Sequence, residues 1–174
     1  MNAAHLHLIS VHFPVVLVPT ALILFLIGLK LDNRSVKITA LCTFIAAAAA
    51  AGAAFLLGEG AEDVLEDFAK VAHSAIEEHE EAADWALWLT VGLGILGAIG
   101  AFSLKLKDTL ARPLTLAVVI LGVMASAGLA VTAQQGGKIR HPEAFETSAK
   151  SVQDSMSGSL GSEPDHYKHD DDDD

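Results

Sequence analysis

Six histidines and a few glutamates carry the chemistry open to this chain. The histidines are His5, His7, His12, His73, His79 and His141, and the acids closest to them in pattern are Glu59, Glu62 and Glu143. Imidazole titrates near neutral pH and is the commonest metal ligand. Mixed with carboxylate it suits zinc or iron. As a pair it ligates haem iron from opposite faces. Hydrolysis has little support: Ser10 and Ser74 stand near histidines, but no nucleophile elbow or phosphate-cradling glycine loop is visible. No independent catalytic activity is expected.

The elements that must position these side chains follow from hydropathy. The chain has 174 residues, is 52% hydrophobic and has a mean hydropathy of +0.43, more apolar than a soluble domain of this size. Four apolar runs, residues 11–29, 38–57, 85–104 and 113–133, contain no Asp, Glu, Lys or Arg. At 1.5 Å rise per residue each is about 30 Å long, the thickness of a bilayer core. The expected fold class is all-α, an integral membrane four-helix bundle with spans over about 11–31, 38–57, 84–104 and 113–133. Ser10 is a candidate cap for the first span, with Pro14 in its first turn. Pro19 lies deeper and predicts a kink.

Between spans two and three, Val64, Phe68, Val71, Ala75 and His79 recur at helical spacing, with acids on the opposite face. The pattern predicts a separate amphipathic surface helix over about 61–81. His79 shares its apolar stripe; His73 lies with the acids. Trp85 and Trp88 mark the interface where the third span begins. The glycines at 58 and 60 and at 136–137 read as helix ends. Small residues at 46–54, 92–100 and 125–130 favour close helix packing and also leave room for a flat ligand. Residues 1–146 form the membrane domain, and the Ser-, Gly- and Asp-rich stretch 147–174 is expected to be a disordered acidic tail.

Charge sets the orientation. Net charge is −11, yet the two short loops hold six of the eleven basic residues: Lys30, Arg34, Lys37, Lys105, Lys107 and Arg112. By the positive-inside rule these loops are cytoplasmic and both termini face out. No basic patch exists elsewhere, so no nucleic-acid partner is expected. Cys42 is the single cysteine, which excludes an intrachain disulfide. The N-terminus has no basic start of a signal peptide, and the first span is expected to act as its own insertion signal.

Antiparallel spans bring the histidine-bearing ends together, where different helices can build one site. Three readings follow. In one, haem b sits between His12 and His79. In another, His12, Glu59, His79 and His141 hold a zinc or iron ion. In the third, these residues cap helices and anchor at the headgroups, and the chain is a structural subunit of a larger complex or homo-oligomer. Taken singly, His5 and His7 read as solvated interface residues, and residues 77–81 as a solvated acidic face.

Four motifs also carry a resemblance: VHFP at 11–14, GEGAED at 58–63, EEHEE at 77–81 and GGKIRHPE at 136–143. In order and position the chain resembles, over about residues 5–146, the bacterial membrane family called domain of unknown function 2231. The resemblance implies a small inner-membrane four-helix protein, with both termini periplasmic in a Gram-negative cell. Some relatives join cytochrome-c-like modules, which implies cytochrome or other membrane-complex subunits as partners beside the lipid bilayer. It singles out His12, Glu59, His79 and His141 but transfers no catalytic residue. Together these observations make a haem-binding electron-transfer or redox-accessory subunit the expected function, with a non-haem metal protein as the alternative.

Overall fold

The computed structural model describes residues 3–68 and 73–140, all of it helix and short turns. The elements are α1 (Ala3–Ser10), α2 (His12–Lys30), α3 (Arg34–Phe68), α4 (His73–Lys107) and α5 (Arg112–Arg140). Four segments are long and apolar enough to cross a membrane: His5–Lys30, Arg34–Gly58, Ile76–Lys107 and Arg112–Ile139. The protein is an all-α, multi-pass membrane four-helix bundle. Helix α3 packs along α2 and α4, and α1 lies on α3. Helix α5 packs on α4, where Gly128 meets Ala86, and on α2, where Gly122 meets Leu22. The cyclic order is therefore α2, α3, α4, α5, with α2 and α4 facing across the core. Val18, Phe25, Phe44, Leu93 and Val118 fill that core, and the Phe25 and Phe44 rings meet edge to face at 6.4 Å.

Three local expectations need correcting. The first span does not begin at a Ser10 cap. Its helix starts at Ala3, breaks at Val11, and Ser10 Oγ donates back to the Leu6 carbonyl at 2.8 Å. Pro14 explains the break, because its ring crowds the carbonyl four residues earlier, that of Ser10, and offers it no N–H. Nor is there a separate surface helix over 61–81. Its first part continues α3 to Phe68 and its last part, from His73, opens α4; residues 69–72 lie outside the described residues. No proline interrupts 61–81, and Ala, Leu and Glu favour continuation. Finally, the glycines at 58, 60, 136 and 137 lie inside helices rather than ending them.

The end carrying the two short loops is held by charge and capping. Asn33 N–H donates to the Gly28 carbonyl and Asp32 N–H to that of Leu29, a Schellman ending with Asp32 at φ 45° in the position glycine usually takes. Asn33 Oδ1 then accepts from Val36 N–H and caps α3. Lys37, nearly buried beside Gly28, reaches Asp32 at 2.7 Å. That hydrogen bond, and then the Lys37 charge, hold the Asp32 carboxyl below its ordinary range. The stabilisation is present above the unfolded pKa and is lost as pH falls through the lower folded one. Arg34 spans the two loops. It donates to the Leu104 carbonyl, one of the last four of α4 without a helical partner, and pairs with Asp108 at 2.9 Å.

Helices α3 and α4 touch almost backbone to backbone. A Cβ at Gly97 would lie 2.8 Å from the Leu41 carbonyl oxygen, and one at Gly94 would lie 2.5 Å from the Ala48 Cβ. A main-chain oxygen cannot rotate away, so the helices would have to part. Gly97→Ala is expected to destabilise the bundle by about 1–3 kcal/mol, as overpacking does. At Gly52 an added Cβ meets nothing within 4 Å, so Gly52→Ala is expected to be neutral or to stabilise by up to about 1 kcal/mol through helix propensity. Thermal unfolding in detergent measures both; equal effects at the two positions would contradict this packing.

Candidate functional site

At the opposite end, two histidines turn inward. His7 sits on α1 and His79 on the second turn of α4; both are half-buried. The His7 Nδ1 lies 2.8 Å from the Ala54 carbonyl of α3. The His79 Nδ1 lies 3.1 Å from the Thr132 carbonyl of α5. A carbonyl only accepts, so each Nδ1 must carry a proton; in the neutral ring Nε2 is then the lone-pair donor. This is the tautomer that a metal-ligating histidine needs.

Glycine makes both placements possible. The His7 ring lies over Gly58, where a Cβ would come within 3.2 Å of its Cε1. The His79 ring lies over Gly136, with the same 3.2 Å separation from its Cε1. In each case the glycine stands four residues beyond the carbonyl that the imidazole contacts. In an α-helix that carbonyl already accepts the N–H of the glycine itself. The imidazole therefore shares an occupied acceptor, and the missing side chain gives it the space to do so. His7 against α3 and His79 against α5 repeat one arrangement on two sides of the bundle.

Thr132 tightens the second half of the pair. Its hydroxyl lies within hydrogen-bonding distance of the Ala82 carbonyl of α4, at 2.9 Å, and of the Gly128 carbonyl of its own helix, at 3.0 Å. Thus α4 donates to α5 through His79, and α5 donates back through Thr132. Beside His79 a shallow pocket of about 240 Å³ is lined by Glu78, Glu81, Ala82, Trp85 and Gln135. Trp85 and Trp88 are well exposed there, at 67% and 70%, as expected for rings at a membrane interface.

The expected site residues fare differently. His79 points into the bundle, as its place in the apolar stripe predicted. His12 is exposed, and its Nδ1 contacts the Leu8 carbonyl of its own chain at 2.6 Å. The inward residue of the first span is His7, which sequence reasoning passed over as a solvated terminal histidine. The signal that could have found it was the 58/136 pair of glycines, each at the histidine end of a long helix. Glu59 falls on α3, but its side chain lies outside the described residues, as do the side chain of His73 and the whole of His141. Among the described residues, no group of three or more His, Cys, Asp or Glu is placed to hold a metal ion. No family model, curated protein or solved structure matches the chain.

The tautomers are directly measurable. Histidine ¹⁵N shifts are expected to report Nδ1–H, Nε2-unprotonated rings for His7 and His79 in the purified protein. Gly136→Val is expected to expel the His79 ring and shift its pattern to that of a solvated imidazole, leaving His7 unchanged. A wild-type ε-protonated tautomer at either residue would refute the arrangement.

Proposed function

We propose that this protein is a small haem-binding electron-transfer or redox-accessory subunit, with His7 and His79 as the residues that would hold the iron. The observation that carries the reading is the matched pair of imidazoles on facing helices. Each sets its Nδ1 against a main-chain carbonyl, and no described residue bonds its Nε2. Bis-imidazole ligation requires that donor set and no third protein ligand. When bound, the group would supply one-electron transfer. The residues would do the rest: the Ala54 and Thr132 carbonyls fix ring orientation and raise ligand basicity, and Gly58 and Gly136 seat the rings. His7 takes the part that the spacing had suggested for His12. The basic short loops favour a histidine end on the outer face, which would be periplasmic in a Gram-negative inner membrane.

A second reading rests on the same two rings. A single zinc or iron ion needs no slot between helices. His7 and His79 would supply two ligands, and Glu59 or His141 would have to supply the others.

An absorbance spectrum separates the two. Protein purified from haem-replete cells is expected to show a Soret band that shifts on reduction. His7→Ala and His79→Ala each abolish the low-spin spectrum, whereas His12→Ala retains it. Loss with His12→Ala and retention with His7→Ala would restore the His12–His79 pair. A colourless protein carrying about one zinc or iron per chain, lost in His79→Ala, would establish the ion. A colourless, metal-free protein would leave the structural-subunit reading.

A further inference from the structure

Six cations surround the loop end of the bundle, and the structure divides them into two groups. Arg34 and Lys37 are committed inside the protein, to Asp108 and the Leu104 carbonyl and to Asp32. Lys30, Lys105, Lys107 and Arg112 are exposed and form no ion pair with a described residue. The two aspartates at this end are those already paired, so four positive charges remain uncompensated. Their depth is set by the spans. Lys30 and Lys107 end two apolar segments and Arg112 opens another. A bilayer core matched to those segments puts all four cations among the headgroups. Leu31 and Leu106 stand among them, exposed at 65% and 67%. A surface facing only water would gain nothing from that exposure, whereas one facing lipid would place it against acyl chains.

We propose that this end is a binding surface for anionic phospholipid. Lys30, Lys105, Lys107 and Arg112 hold the phosphates, and Leu31 and Leu106 contact the adjoining chains. The shared chemistry is a phosphate group, and the source is a membrane lipid. The proposal is independent of any cofactor at the histidine end.

The test uses full-length protein in detergent, where orientation across a membrane plays no part. Lipid retained after washing is quantified by native mass spectrometry, with phosphatidylglycerol and phosphatidylcholine offered in equal amounts. Wild-type protein is expected to retain phosphatidylglycerol preferentially. The triple variant Lys105→Gln, Lys107→Gln, Arg112→Gln is expected to lose at least about tenfold of that retention, given the contribution of each cation near an anionic surface. Lys138→Gln, exposed at the opposite end of α5, is expected to leave it unchanged. Inorganic phosphate at the same concentration is expected not to displace the lipid. Equal retention of the two lipids, an unaffected triple variant, an equal loss with Lys138→Gln, or displacement by phosphate alone would each overturn the proposal. If circular dichroism shows that the triple variant is unfolded, a salt titration of wild-type protein decides. Retention that falls steeply with salt supports the charged surface, and salt-insensitive retention overturns it.

Discussion

Within an apolar medium, a helix has already spent its main-chain carbonyls on itself. Any side-chain donor that reaches a neighbouring helix must share one of them, and a Cβ in the next turn usually stands in the way. This bundle meets that constraint with glycine. Gly58 and Gly136 open the turn beyond the Ala54 and Thr132 carbonyls, and His7 and His79 enter the openings. Interhelical hydrogen bonds in membranes average only about 0.6 kcal/mol, whereas forcing a group into occupied space costs about 1–3 kcal/mol. The space therefore decides where the rings sit, and the hydrogen bond decides which nitrogen keeps its proton.

The same economy of space runs down the α3–α4 contact. Gly94 and Gly97 bring these helices together near Ala48 and Leu41, and Gly100 continues the groove against the Leu41 side chain. With so little side chain between them, a small shift of either helix would be felt along its whole length, because packed interiors deform little. The positions of His7, through α3, and of His79, on α4, are consequently tied to one rigid interface rather than to two flexible termini.

Most of the architecture was legible from hydropathy, since four uncharged runs of bilayer length leave few alternatives. The loop turns were legible too: residues 30–37 contain the charges and the Asp-Asn step that close α2 and open α3. What escaped the sequence was whatever depends on neighbours. A glycine near a helix end carries the same letter whether it terminates the helix or seats a ring. Gly58 and Gly136 therefore read as stops, although α3 runs on to Phe68 and α5 to Arg140. The amphipathic period over 61–81 was real, but the period reports a face and not a boundary, so it could not distinguish one surface helix from the ends of two long ones. His7 and His12 differ by five residues, which turns them to different sides of one helical segment. Only the packing of α1 on α3 fixes which side is inward.

The two ends of the bundle are also held by different physics. At the loop end, short connections, a Schellman ending and two ion pairs lock four helix termini to one another. At the histidine end, the described interhelical polar ties close to the paired rings include no ion pair: they are the imidazole and threonine bonds to carbonyls, and Gln135 donating to the Glu78 carboxylate at a long 3.4 Å. Ties of that kind are individually weak. At this end it is therefore the close α3–α4 packing, with α1 laid on α3, that holds the two rings in place, and the polar bonds only orient them.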